Sequence, residues 1–204
     1  MSEPRAVFAS AATGFASLVR SVPEDRWSDP GLGEWNVRDL VGHASRSLIT
    51  VSTYLRTTAE REDVVSAADY YVAMHGYSAG LGAAAIVERG RQAGRDLGDD
   101  PPAAVDELLA RVLSDLEAVD DPLIEVIGGL GIRLSNYLPT RTFELAVHGL
   151  DIAAAIGEDV VPPAEVLTEA VSLASRIGVK LGQGPAVLLA LTGRAPLPAG
   201  FSVI

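Results

Sequence analysis

The sequence predicts an all-α protein, and three features support this class. Apolar residues recur at intervals of three and four along most of the chain, which is the spacing of one helix face. Prolines and glycines cluster between these segments, where helices are expected to end. No segment alternates apolar and polar residues strongly enough to indicate a β-sheet.

The first predicted helix covers residues 4–21, where Phe8, Ala12 and Phe15 share one face. Pro23 ends it, and a polar loop is expected over 22–34. A second helix is expected to begin after Asn36, a favoured N-cap residue, and to reach about Arg56. Asp39 stands at its third position and completes a capping box.

The elements of the remaining chain are predicted from the positions of its prolines and glycines and from its apolar periodicity. Residues 57–80 are expected to form a loop with a short helix, and residues 123–131 contain a short β-branched run that favours an extended backbone. The other helices are expected at residues 83–97, 103–119, 135–156, 162–180 and 186–191. The tail from residue 192 onward contains two prolines and is expected to be extended.

Composition and charge restrict the functions that are open to this chain. The net charge of −11 and the pI of about 4.6 argue against nucleic acid and anionic membrane as partners, because both require a basic face. No basic-apolar signal segment and no apolar run of about 18 residues is present, so a cytoplasmic location is expected. The chain has no cysteine, so a metal ion would need nitrogen and oxygen ligands.

The predicted helix at 135–156 carries the residues of greatest chemical interest. Glu144 and His148 are four residues apart, so their side chains point the same way with Cβ atoms about 5–6 Å apart. One carboxylate and one imidazole at this spacing can hold the same metal ion. A third ligand must come from elsewhere, and His43 and His75 are the other two histidines.

This spacing alone leaves two interpretations open. Acidic residues are common in the chain, 27 of 204, and Asp39 also precedes His43 by four residues, so such pairs arise by chance. A helical projection places six polar residues in one stripe about 100° wide, and that stripe either lines an internal polar cleft or is the exposed side of the helix. Its members are Tyr137, Thr140, Arg141, Glu144, His148 and Asp151.

Three segments resemble the DinB-like, mycothiol-dependent maleylpyruvate isomerase family. Residues 35–43, from Trp35 to His43, resemble its W-x-V-x-D-L-x-x-H segment, and residues 144–151 resemble its E-x-x-x-H-x-x-D segment. Residues 189–194 are similar to an L-x-L-T-G-R element near the end of many members. The resemblance implies a DinB-like four-helix bundle with one long crossover connection over residues 1–160. Residues 161–204 are then expected to form a C-terminal helical extension packed on this bundle.

The resemblance also implies a divalent metal, usually zinc, at the positions matching His43, Glu144 and His148. Three protein ligands leave a tetrahedral position open, which is typical of a catalytic zinc. Asp39 and Asp151 are candidates for orienting the imidazoles, with helix capping and plain solvation as the alternative roles. His75 matches no family motif and is expected to lie in a loop or at the surface.

The family's chemistry implies that the metal binds a low-molecular-weight thiol, with mycothiol as the candidate cosubstrate, that attacks an electrophilic small molecule. Arg141, Tyr54 and Tyr137 are expected either to contact an anionic substrate or to serve packing.

The short segment after residue 160 is not expected to form the separate C-terminal domain of maleylpyruvate isomerase, and that enzyme's catalytic arginine has no clear match among Arg89, Arg91 and Arg95. General thiol transfer or an unknown metal-dependent reaction is therefore expected, rather than a reaction of maleylpyruvate. The alternatives are a non-catalytic binding bundle and a metal-dependent hydrolase.

Overall fold

A computed structural model describes residues 3–79 and 82–204. This part of the chain is mostly helical, with a single antiparallel pair of short strands, which confirms the all-α prediction. The elements are α1 (Glu3–Ser21), α2 (Val37–Tyr54), α3 (Ala67–Ala79), α4 (Ala83–Asp96), α5 (Pro101–Glu117), β1 (Leu123–Val126), β2 (Leu130–Arg133), α6 (Leu134–Ile156), α7 (Ala164–Lys180) and α8 (Gly184–Leu191).

Four helices form the bundle. Helix α1 packs against α5 and α6, and α2 packs against the same two helices, so that α1 and α2 occupy opposite corners. The connection from α2 to α5 is long and carries α3 and α4. Helix α4 packs on α2, and α3 packs on α6 and α7. The predicted DinB-like bundle with a crossover connection is confirmed.

The core consists of the apolar faces of these helices. Phe8, Phe15, Leu40, Leu48 and Ile152 are each at most 3% exposed, and their burial supplies the main free energy of folding. The helical spacing of the apolar residues on each helix explains why one face of each is buried.

Helix α2 begins as the sequence predicts. The backbone N–H of Asp39 donates to the side chain of Asn36 at 2.8 Å, and the Asn36 N–H donates to the Asp39 carboxylate at 3.4 Å. This reciprocal pair satisfies two of the backbone donors that a helix N-terminus leaves unpaired. The cap therefore fixes the residue at which α2 begins and, with it, the position of His43 two turns later.

Glycines allow α4 to lie directly on α2. A Cβ atom added at Gly42 would stand 2.2 Å from the backbone nitrogen of Gly94, and one added at Gly90 would stand 2.4 Å from the Trp35 indole. The Arg38 guanidinium adds a hydrogen bond from Nε to the Gly94 carbonyl at 2.9 Å. The two helices therefore approach more closely than side chains would permit.

Helix α3 departs from the prediction of a loop with a short helix over 57–80. It extends for 13 residues, Ala67–Ala79, and residue 80 lies outside the described part of the chain. Its apolar residues do not form a single stripe, because α3 packs against both α6 and α7. Helical periodicity is weak in a helix that is covered on more than one side.

A β-hairpin replaces the isolated extended piece predicted at 123–131. Strands β1 and β2 pair antiparallel, with Ile124 opposite Ile132. The connection turns at Gly128 and Gly129, which have φ values of 80° and 73°. Such a backbone favours glycine because it lacks a Cβ atom.

Helix α7 packs against α1, α3 and α6, and α8 packs against α7. The tail over residues 192–204, predicted to be extended, contains neither helix nor strand and has turns at Gly193 and Gly200. The division between a bundle at 1–160 and an extension at 161–204 stays a prediction. Over residues 3–79 and 82–204, no helix combines the length and hydrophobicity required to cross a bilayer.

The α2–α4 contact predicts opposite effects for two glycine substitutions. Gly42→Ala places a methyl group against the α4 backbone and is expected to lower the free energy of unfolding by about 1–3 kcal/mol. Gly14→Ala, on α1 with no atom outside its own stretch of helix within 4 Å of the new Cβ, is expected to raise it by about 0.5–1 kcal/mol. Urea unfolding of both variants measures the difference, and equal effects would contradict the close contact.

Candidate metal centre

The polar stripe of α6 faces the interior of the protein. Tyr137 and Thr140 are fully buried, and His148 is 8% exposed. The alternative that this stripe is the exposed side of the helix is therefore wrong. The Oε2 atom of Glu144 lies 3.3 Å from Nε2 of His148, as the four-residue spacing predicts.

Helix α2 brings His43 to the same point. The His43 and His148 rings meet edge to face, with centroids 4.9 Å apart and an interplanar angle of 86°. One potential ligand atom from each of His43, Glu144 and His148 lies within 4.8 Å of the other two. The structure thus brings His43 together with Glu144 and His148, which follow it by about one hundred positions in the sequence.

Trp35 packs against the His43 ring. The two rings stack with centroids 4.5 Å apart at 30°, and the indole N–H of Trp35 donates to the Val87 carbonyl on α4 at 2.9 Å. The indole fits here because Gly90 has no side chain. The orientation of His43 therefore depends on the packing of α4 against the start of α2.

Two aspartates were candidates for orienting the imidazoles, and the structure separates them. The carboxylate of Asp151 lies 3.1 Å from Nδ1 of His148, on the opposite side of the ring from Glu144. Asp39 is engaged in the capping box of α2. Asp151 is thus placed to orient His148, and Asp39 serves the helix terminus.

Glu144 has a second partner outside α6. The Tyr71 hydroxyl of α3 donates to Oε1 of Glu144 at 2.7 Å and lies 3.2 Å from the Thr140 carbonyl. Burial, together with the neighbouring Glu144 charge, raises the pKa of Tyr71 well above its usual value. The phenol therefore stays protonated and remains a donor near neutral pH.

Electrostatics assigns different protonation states to the two histidines in the metal-free protein. Burial, assisted by the charge of His148, lowers the pKa of His43 to about 4. Burial also opposes protonation of His148, but its hydrogen bonds to Asp151 and Glu144 outweigh this and raise its pKa to about 9. Burial alone would raise the pKa of Glu144, yet His148 and Arg141 lower it. At pH 7 His43 is neutral, whereas Glu144 and His148 form an ion pair.

A pocket of about 300 Å³ opens beside these three residues. Arginines from three helices line it, Arg46 of α2, Arg89 of α4 and Arg141 of α6. The rest of the lining is aromatic, apolar or histidine, and consists of Tyr70, Tyr71, Met74, His75, Ile86, Ile127, Val203 and Ile204, together with His43 and Glu144. Three guanidinium groups favour an anionic occupant.

The remaining predicted residues divide between pocket and core. Arg141 lines the pocket, with its guanidinium 5.1 Å from the Tyr137 ring centroid and 5.6 Å from that of Tyr70. Tyr137 is fully buried and its hydroxyl donates to Thr50, and Tyr54 packs edge to face on Tyr137. These two tyrosines serve packing. His75 is exposed at the pocket and does not belong to the three-residue cluster.

Sequence reasoning missed several of the pocket residues. Arg46 follows His43 by three residues on α2, so helical spacing could have placed it on the same face. The sequence does not distinguish Arg89 from Arg91 and Arg95. In the structure Arg89 lines the pocket, whereas Arg91 and Arg95 form surface ion pairs with Glu34 and Glu88, respectively. No motif or spacing in the sequence marks Tyr71 as a pocket residue, because its position depends on how α3 crosses α6.

The donor set fits a divalent cation. Zinc bonds of about 2.0–2.2 Å place ligand atoms within about 4 Å of one another, so small side-chain movements would suffice. The Nδ1 atom of His43 is buried and has no hydrogen-bond partner among the described residues, and a cation bound to it would satisfy it. The Asp151–His148 contact resembles the outer-shell support that metal-ligating imidazoles have in other proteins.

Comparison with known proteins supplies a family. Residues 8–153 match the family model described as mycothiol maleylpyruvate isomerase N-terminal domain. The match covers more than two thirds of the chain and includes His43, Glu144 and His148. No curated protein and no solved structure matches the chain. The family predicted from the three sequence motifs is confirmed.

The histidine environments predict two well-separated titrations in the metal-free protein. In ¹H–¹⁵N NMR spectra we expect His43 to titrate near pH 4 and His148 near pH 9. Asp151→Asn removes the charge that stabilises the His148 cation, so the pKa of His148 should fall. Asp39→Asn is the control and should leave it unchanged. Equal sensitivity to both substitutions would contradict the assignment of Asp151.

Proposed function

Because the chain belongs to the mycothiol maleylpyruvate isomerase N-terminal domain family, we propose that it is a metal-dependent enzyme that uses a small thiol to attack an anionic electrophile. His43, Glu144 and His148 would hold the metal, and two imidazoles with one glutamate are a donor set that binds catalytic zinc in other proteins. The observation that carries the proposal is the convergence of these three donors at a pocket lined by three arginines.

A divalent metal bound at these residues would lower the pKa of a thiol that coordinates it, so that thiolate is present near neutral pH. The protein cannot provide that thiol itself, because it contains no cysteine. A low-molecular-weight thiol such as mycothiol must therefore enter the pocket. The arrangement of three protein ligands supports this, because it leaves room for an additional ligand.

The protein's own residues orient the second reactant. Arg141 packs over the rings of both Tyr70 and Tyr137, and Arg46 and Arg89 add positive charge at the pocket. The chain as a whole has a net charge of −11, so the concentration of arginine at this pocket opposes the overall field. A carboxylate on the electrophile would be drawn to the pocket and aligned by the guanidinium groups.

The metal site predicts that zinc binding is linked to proton release. Between about pH 5 and 8, His148 is protonated and His43 is neutral in the metal-free protein, so binding must displace one proton, from His148. Zinc affinity should rise about tenfold per pH unit in this window and level off above pH 9. Calorimetry in buffers of different ionisation enthalpy measures the number of protons released.

Two histidine variants control this measurement. His148→Ala removes a proposed ligand and should abolish stoichiometric zinc binding, whereas His75→Ala should retain it, since His75 lies outside the ligand cluster. Stoichiometric binding that is independent of pH, or equal binding by both variants, would contradict the assignment of His148.

The reaction is tested with a cis-enone that carries a carboxylate and with its methyl ester, each assayed with and without mycothiol. We expect turnover that requires both zinc and thiol. Arg141→Met should raise the KM for the carboxylate about 10- to 100-fold, because a loss of this size corresponds to the free energy of one hydrogen bond to a charged group. The KM for the ester should stay nearly unchanged. Arg91→Met is the matched control, because Arg91 forms a surface ion pair with Glu34.

Other outcomes distinguish the alternatives. Turnover of the ester without any added thiol would indicate a metal-dependent hydrolase. Stoichiometric zinc binding with no turnover by any thiol would favour a non-catalytic binding bundle. An equal loss of affinity for acid and ester in Arg141→Met would contradict the role of Arg141 in binding the carboxylate.

A further inference from the structure

The two carboxylate oxygens of Glu144 have different partners. Oε2 lies 3.3 Å from Nε2 of His148, on the side where the three potential ligands converge. Oε1 accepts a hydrogen bond of 2.7 Å from the Tyr71 hydroxyl. A charge-assisted hydrogen bond of this length is among the stronger contacts a carboxylate makes. It therefore ties Oε1 to α3 rather than to the ligand cluster.

Tyr71 is itself held rigidly. Its side chain packs edge to face on Phe143 at 5.4 Å and on Tyr70 at 5.8 Å, and its ring lies in the core. Helix α3 packs against α6 and α7, and Asp69 of α3 forms an ion pair of 2.7 Å with Lys180 of α7. The hydroxyl therefore has little freedom to leave Oε1.

We propose that Tyr71 is a positioning residue: its hydroxyl keeps Oε1 of Glu144 in a hydrogen bond, so that only Oε2 can bind a cation. The inference rests on the proposed metal site. A carboxylate with both oxygens free can bind a cation through both of them, as it does in many calcium sites. At this cluster the second oxygen would occupy part of the coordination sphere that a thiol or substrate requires.

A purely structural role for Tyr71 predicts something different. In that case the hydroxyl only satisfies a buried carboxylate, and its loss would lower stability without changing how Glu144 binds a metal. A measurement that reports coordination number separates the two roles. Visible absorption of the cobalt-substituted protein is such a measurement, because the d–d bands weaken as coordination rises from four to five.

The experiment compares full-length Tyr71→Phe with wild type and with Tyr54→Phe. Each substitution removes one hydroxyl and keeps the ring, and Tyr54 lies outside the pocket, against Tyr137. Cobalt absorption and zinc affinity, by competition with a chromophoric chelator, are measured on all three. In Tyr71→Phe we expect weaker visible bands and a 10- to 100-fold loss of zinc affinity. Tyr54→Phe should match wild type in both.

An unchanged cobalt spectrum in Tyr71→Phe would overturn the proposal, whether or not zinc affinity falls. Circular dichroism and the melting temperature confirm that each variant is folded before its spectrum is compared. Failure of the wild-type protein to bind either metal would overturn the metal site itself, together with the role of Tyr71. The two failures are distinguished by the wild-type titration.

Discussion

The burial of a charged pair on α6 is the constraint on which the site depends. Glu144 and His148 lie between helices, and ionised groups removed from water are costly unless each has partners. Asp151 and Tyr71 supply those partners from the two ends of the pair, 3.1 Å from the imidazole and 2.7 Å from the carboxylate. Beside these contacts, one potential ligand atom of each group lies within 4.8 Å of a ring nitrogen of His43.

His43 reaches this pair through a sequence of ordinary packing choices. The capping box fixes where α2 begins, and the glycine contact brings α4 onto it. Trp35 is thereby trapped between the two helices, hydrogen-bonded to Val87 and stacked on the His43 ring. A substitution that shifts α4 would consequently move His43 within the candidate metal centre, although the three-residue cluster comes from α2 and α6.

The sequence predicted the parts of this arrangement that depend on local spacing. The i,i+4 relation of Glu144 and His148, the cap at Asn36 and the bundle helices follow from helical periodicity and capping chemistry. The family resemblance, rather than spacing, supplied His43 as their companion. Contacts made by the crossover segment were not predictable in this way, because α3 lacks a single apolar stripe. The sequence therefore does not indicate Tyr71 as a partner of Glu144, because this contact depends on the way α3 crosses α6.

One helix fixes the distances on which the proposed chemistry depends. Arg141, Glu144 and His148 follow one another at three and four residues, so they lie on successive turns of a single face of α6. With a rise of 1.5 Å per residue, Arg141 and His148 are about 10 Å apart along the helix axis. A reactant bound to Arg141 would therefore lie beside the ligand cluster, in the pocket that Arg141, Glu144 and His43 share. Because α6 carries both Arg141 and the Glu144–His148 pair, changes in the crossover segment can alter the pocket walls while the spacing of these residues along the helix stays the same.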